Sequence, residues 1–216
     1  MYKTGNDLID TLSQVYFFFP LLPVIAVFIK NAYRQETLSL LVVLCLFNFV
    51  ENMALLFPGV TAQTQIAFVN IFSIVELIIL TQLFKWAFHG WVKRSLIILF
   101  VAFLSSVATF YLLEGIGRER IVLEEIQHFV AIFVAVFGLV RLEPDKDLFI
   151  FQSSLFWIAT GTIFYFTIAV LTKIVGGSTG RSPSPDNQGI LVIAGFLRYI
   201  FYVLAIVLGT KARRLD

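Results

Sequence analysis

The chain has 216 residues, of which 59% are hydrophobic and 24 are phenylalanine, and its mean hydropathy is +0.90. A soluble domain of this length could not cover so much apolar surface, so the composition predicts a protein whose solvent is the lipid bilayer. The net charge is only +2 and the basic residues are scattered along the chain, so we expect no nucleic acid partner.

Seven apolar stretches are long enough to cross a bilayer, which takes about 20 mainly apolar residues in a helix. Each is bounded by turn or charge signals such as FPGVT, EGIGRER and GGSTGRSPSPDNQG. In chain order, the predicted spans cover residues 12–29, 37–57, 62–84, 95–113, 121–140, 148–172 and 189–209. The prediction is therefore one all-α domain over residues 1–216, a polytopic bundle of seven transmembrane helices.

The first span contains Pro20 and Pro23, which should kink it. It has neither a basic segment before it nor a small-residue cleavage site, so we interpret it as a retained helix and not as a signal peptide.

The basic residues predict the orientation of the bundle. With seven spans, one side carries ten of them, Lys30, Arg34, Lys85, Lys93, Arg94, Arg141, Lys146, Lys211, Arg213 and Arg214. The other side carries five, Lys3, Arg118, Arg120, Lys173 and Arg181. Because cytoplasmic loops are enriched in Lys and Arg, the N-terminus is expected outside and the C-terminus in the cytoplasm. We expect the membrane to be a bacterial cytoplasmic membrane.

A permanent positive charge lies at the centre of the last span, in VIAGFLRYIFYVLAIVLG. An unpaired arginine there would be very costly. Residues three or four apart share a helix face, and the face of Arg198 is mostly small, with Ala194, Gly195 and Ala205 on it beside Tyr202. Small residues let membrane helices approach closely, so Arg198 is predicted to point into the bundle.

Two carboxylates are within reach of that arginine. Glu76 on the third span and Glu51 on the second both lie within one or two turns of the centre of their span. We expect Arg198 to pair with one of them, Glu76 first and Glu51 second. The pair is interpreted either as a structural lock on helix register or as a binding site for an anionic or zwitterionic ligand.

The fifth predicted span also combines polar and small residues on one face. Ala131, Ala135 and Gly138 continue the face that begins with Glu124 and His128. Glu125 and His128 have the Glu-x-x-His spacing of di-iron bundles, but those bundles need the motif twice. We therefore expect no metal and no cofactor, with Glu125 and His128 as the weak metal candidates.

Other polar or aromatic side chains at helical spacing could line the same interior. These further candidates for ligand binding are Asn48, Asn52, Asn70, Trp157, Tyr165 and Tyr202. For Trp157 and Tyr165 the alternative is ordinary packing or anchoring at the membrane interface.

Three known seven-helix architectures do not fit these features. Microbial rhodopsins hold retinal on a lysine of the last helix, where this chain has Arg198, and sugar exporters of the SWEET type repeat their prolines in both halves, which this chain does not. Adiponectin-receptor-type hydrolases need three histidines, and this chain has two.

The segments NIFSIVELIILTQLF, FWIATGTIFYF and LRYIFYVLAI resemble those of small uncharacterised bacterial seven-helix membrane proteins. That resemblance implies a fold and no established activity.

Three functions remain open. The one we expect is a receptor-like or sensory protein that binds a small or amphiphilic ligand in a polar pocket and acts through a separate cytoplasmic or membrane partner. The alternative is a small transporter or channel, and the third is a membrane-embedded enzyme with Glu51, Glu76, Glu125 and His128 as acid–base groups.

Overall fold

The computed structural model describes residues 7–56, 61–85, 101, 105, 121–142, 150–175 and 185–209, without the side chains of residues 8, 55–56, 62–63, 65–66, 121–126 and 185–186. This part of the chain is all-α and contains no strand. Its helices are α1 (Asp7–Tyr16), α2 (Leu21–Ile29), α3 (Glu36–Leu56), α4 (Ala62–Leu83), α5 (Ile121–Val140), α6 (Ser154–Val175) and α7 (Pro185–Gly209).

The first predicted span is two helices joined by a turn. The axes of α1 and α2 differ by 42°, and residues 17–20 keep short-range bonds such as Phe19 N to Tyr16 O at 3.0 Å. Pro20 and Pro23 cause the break because they lack the N–H that a continuous helix needs. Both are tolerated at the start of α2, where the first N–H groups have no partner within the helix. The predicted kink is confirmed, and the helix begins at Asp7 instead of residue 12.

The other helices follow the predicted spans closely, with one exception. α6 begins at Ser154, six residues later than predicted, because Ile150–Gln152 form a 3₁₀ turn closed by Ser153 N to Ile150 O at 3.1 Å. This segment is apolar, but serines such as Ser153 and Ser154 compete for backbone hydrogen bonds and favour helix ends over helix interiors. The predicted span at 95–113 lies outside the described residues, apart from Val101 and Ser105, which are helical.

Several of these helices are long and apolar enough to cross a bilayer. Among the described residues, Glu36–Ala54, Ser154–Val175 and Asn187–Gly209 qualify, and the bent pair α1–α2 makes a fourth if it counts as one span. The stretches Ala67–Leu83 and Gln127–Val140 are shorter and also apolar. At about 1.5 Å per residue, a helix of 20 residues matches the roughly 30 Å hydrocarbon core of a bilayer. The chain is therefore an integral membrane protein.

The described helices pack as a ring. α2 packs against α3, α3 against α4, α4 against α5, α5 against α6, and α6 against α7. α7 in turn contacts α1 and α2, which closes the ring. Lys85, just after α4, forms an exposed ion pair with Glu36 at the start of α3, as expected for antiparallel neighbours. The most extensive contact joins α6 and α7. There a Cβ built on Gly161 would lie 2.9 Å from Cβ of Phe201 and 3.2 Å from the carbonyl oxygen of Arg198.

One face of α5 is buried, as the spacing of its small residues predicts. Ala131 and Ala135 are almost fully buried, while Phe133 and Val136 on the opposite face are exposed. Gly138 belongs to the inner face, and a Cβ added to it would lie 2.4 Å from Cδ1 of Phe84. The absence of a side chain at Gly138 is what lets α5 approach the end of α4.

Gly138→Leu should lower the thermal stability of the protein in detergent, because the added side chain displaces the Phe84 ring. Overpacking of this kind typically costs about 1–3 kcal/mol. The matched control is Val136→Leu two residues away, where the side chain is 40% exposed. Similar melting temperatures for the two variants would show that the inner face of α5 is assigned wrongly.

Candidate functional site

Arg198 lies near the middle of α7 and is buried within the bundle. Its side chain is 3% exposed, and its Nη2 forms an ion pair with Oε1 of Glu76 on α4. Its Nε donates to the hydroxyl of Tyr202, one turn further along α7, at 2.8 Å. Both hydrogen bonds satisfy donors of a charged group that has no access to water, and the carboxylate balances its charge.

Aromatic rings enclose the guanidinium group. Its Cζ lies 4.8 Å from the ring centroid of Tyr165 and 5.3 Å from those of Phe166 and Tyr202. Each ring presents its negative π face to the cation, an interaction worth about 2 kcal/mol when the cation is desolvated. Thr162 on α6 lies 3.2 Å from the Tyr202 hydroxyl, so that hydroxyl is shared between α6 and α7. The rings therefore provide part of the solvation that the membrane interior cannot provide.

A third helix joins the ion pair through Asn48 of α3. Its Nδ2 lies 3.3 Å from the hydroxyl of Tyr199 and 3.5 Å from Oε1 of Glu76. The second distance is at the long limit for a hydrogen bond, so the contact with Tyr199 is the stronger of the two. We call the set Asn48, Glu76, Thr162, Tyr165, Phe166, Arg198, Tyr199 and Tyr202 the Arg198 network. It connects α3, α4, α6 and α7 through polar or cation–π contacts.

A small cavity lies beside this network, between α4, α5 and α6. It is lined by the polar residues Ser73, Glu76, Gln127 and His128, together with Leu77, Leu80, Ala131 and Phe166. Its volume is about 20 Å³. Pockets for organic ligands typically measure 300–1,000 Å³. In this conformation the cavity therefore has no room for such a ligand.

The structure brings some of the predicted site residues together in the Arg198 network and the cavity beside it. Tyr165, Tyr202 and Asn48 belong to the Arg198 network, and His128 lines the cavity with its ring 5.2 Å from that of Phe166. Glu51 is half-buried and close enough to Tyr16 and Tyr165 for an electrostatic interaction. The hydrogen bonds of Arg198 go to Glu76 and Tyr202.

Other predicted residues lie elsewhere. Asn52 donates to the backbone oxygen of Phe17 at 3.4 Å, in the turn between α1 and α2. Trp157 donates to the backbone oxygen of Phe151 at 2.7 Å and stacks on Phe201, so it is a packing residue and not part of the cavity wall. Asn70 is half-buried on α4, two turns before Glu76. Glu124 and Glu125 lie on α5, and their side chains fall outside the described residues.

Sequence reasoning missed three members of the Arg198 network, Thr162, Phe166 and Tyr199. Tyr199 is almost fully buried, and its position directly after Arg198 was a usable signal, because a tyrosine in an apolar helix needs a partner for its hydroxyl. Thr162 and Phe166 carry no such signal, since threonine and phenylalanine are ordinary in membrane helices.

Within the described residues, no three His, Cys, Asp or Glu side chains are grouped so that they could hold a metal ion. Comparisons of the chain with protein-family models, with curated proteins and with solved structures find no match.

Arg198→Met should destabilise the protein by about 3–5 kcal/mol, because it leaves the Glu76 carboxylate buried without its counter-ion. Adding Glu76→Leu should recover much of the loss, since replacing both partners of a buried pair by apolar residues can be nearly neutral. Melting temperatures in one detergent measure the effect.

The control is Arg198→Met combined with Glu51→Leu, which should give no recovery. If the effects of Arg198→Met and Glu76→Leu simply add, the two charges do not stabilise each other and the ion pair has no energetic role.

Proposed function

We propose that this chain is a receptor-like or sensory protein of the membrane. It binds a small or amphiphilic ligand with an anionic or zwitterionic head group at the Arg198 network and acts through a separate membrane or cytoplasmic partner. The observation that carries the proposal is the buried ion pair between Arg198 and Glu76, because the Arg198 network around it draws its members from four helices. Charged residues inside a membrane are expensive and are typically retained for function.

The ion pair offers a way to couple binding to helix movement. A head group that competes for Arg198 has to separate it from Glu76, and so has to move α7 relative to α4. Asn48 links α3 to α4 and α7, and Thr162 links α6 to α7, so all four helices would adjust together. We call the conformation with the Arg198–Glu76 pair intact closed, and one with the pair separated open. A ligand that binds the open conformation more tightly shifts the population towards it, by as much as the two affinities differ.

The same proposal includes seven spans, with the N-terminus outside and the C-terminus in the cytoplasm of a bacterial cell. Its support is the ten-to-five distribution of basic residues and the helices that match six of the predicted spans, the first as the bent pair α1–α2.

A topology reporter fused after Asp216 should be active in the cytoplasm, and one inserted near Ser182 should be active outside, because cytoplasmic loops carry the excess of Lys and Arg. Paired reporters such as alkaline phosphatase and green fluorescent protein measure this in cells. Finding both positions on one side would exclude the seven-span arrangement.

A long-chain fatty acid and a zwitterionic lysophospholipid should raise the melting temperature of the purified protein, because their head groups bring a charge that replaces Glu76 beside Arg198. Saturation at about 100 times the dissociation constant stabilises the bound form by about 2.7 kcal/mol. A fatty alcohol of the same chain length is the matched ligand control and should have little effect.

The protein control is the variant Arg198→Met/Glu76→Leu, in which neither amphiphile should stabilise more than the alcohol does. Equal stabilisation of the natural protein by all three amphiphiles would contradict head-group recognition by Arg198 and, with it, this function.

A further inference from the structure

The cavity beside Glu76 contains a buried hydrogen-bond donor that has no protein partner. Gln127 is 5% exposed, and its Nε2 has no hydrogen bond within the described part of the structure. Gln127 is also one of the residues that line the cavity. Burying an amide N–H without a partner is unfavourable, and buried polar groups in folded proteins are nearly always satisfied by protein or by ordered water.

The size and lining of the cavity restrict what can satisfy this donor. A single water needs about 10–15 Å³ of such space, and the cavity offers about 20 Å³. A buried water also needs about two to four polar partners. Ser73, Glu76, Gln127 and His128 supply a hydroxyl, a carboxylate, an amide and an imidazole.

Charge excludes an ion as the expected occupant. The carboxylate of Glu76 already pairs with Arg198, so the nearest charges cancel, and a further ion would be buried without a counter-charge. The Nε2 amide of Gln127 is a hydrogen-bond donor and requires an acceptor, which a cation cannot supply. Water is neutral, accepts a hydrogen bond from the amide and donates to the carboxylate.

We propose that this cavity is a hydration site that holds one water molecule between Nε2 of Gln127 and the carboxylate of Glu76. The water thereby connects α5 to the Arg198 network, which otherwise draws its members from α3, α4, α6 and α7. The site belongs to the resting protein, so the inference stands whether or not the receptor proposal holds.

Hydroxyl-radical footprinting in ¹⁸O-labelled water tests the site directly, because radicals produced from a bound water oxidise the side chains beside it. The purified protein is irradiated in lipid nanodiscs and the oxidation of each residue is measured by mass spectrometry. Leu80 lines the cavity and Leu83 on the same helix does not, while both are almost fully buried. Phe166 and Phe84 form a second matched pair, with Phe166 in the lining.

The expected result is that Leu80 and Phe166 are oxidised several-fold faster than Leu83 and Phe84. Gln127→Met keeps a side chain of similar length without the donor, and it should reduce oxidation at Leu80 to the level of Leu83. Equal rates within both pairs of the natural protein would show a dry cavity and overturn the proposal. Unchanged oxidation of Leu80 in Gln127→Met would overturn the role of Gln127.

An exchange of sodium for choline separates water from a bound cation. Oxidation of Leu80 that does not change with the salt supports water, and oxidation that depends on sodium would show that an ion occupies the site and would overturn the proposal.

Discussion

The need to balance the buried charge of Arg198 organises the polar contacts that join α3, α4, α6 and α7. Transferring an ion out of water costs several kcal/mol even after relaxation, and the attraction of a partner only offsets this cost when the remaining donors are also satisfied. Around Arg198, Glu76 supplies the opposite charge, the Tyr202 hydroxyl accepts a second hydrogen bond, and aromatic rings cover the guanidinium face. The pair therefore contributes little net stability, but it strongly disfavours any rotation of α4 or α7 that would separate its members.

Such an arrangement requires helices that lie close together, and the small residues around Arg198 make this possible. A Cβ on Gly195 would lie 2.4 Å from the Tyr16 ring, and one on Gly161 would meet Phe201 and the backbone of Arg198 itself. The glycines thus admit a ring from α1 against α7 and let α6 approach α7 at backbone distance. Because those contacts bring Tyr165 and Thr162 to the arginine, close packing and charge compensation depend on each other.

The helices and their inner faces were largely predictable, because hydropathy and the 3.6-residue period act within one segment. The proline break after α1, the buried face of α5 and the inward direction of Arg198 all follow from such local patterns. The sequence ranked Glu76 before Glu51 as the partner of Arg198 but left both open, since the pairing depends on how helices far apart in sequence are rotated and shifted against one another. The late start of α6 was missed for a different reason, because an apolar segment need not be helical throughout.

The cost of breaking the ion pair also constrains what a ligand of this site could be. Separating Arg198 from Glu76 leaves two charges in a medium of low dielectric constant, and a neutral molecule does nothing to compensate either of them. In the proposed function, an anionic head group would replace Glu76 beside Arg198, and a zwitterionic one would also bring a positive charge to Glu76. The cost of separating the pair would therefore favour charged ligands over uncharged ones. In the closed form the space beside Glu76 accommodates no more than a water-sized molecule. A ligand would therefore bind only together with helix movement, and that coupling between occupancy and conformation is what a sensor requires.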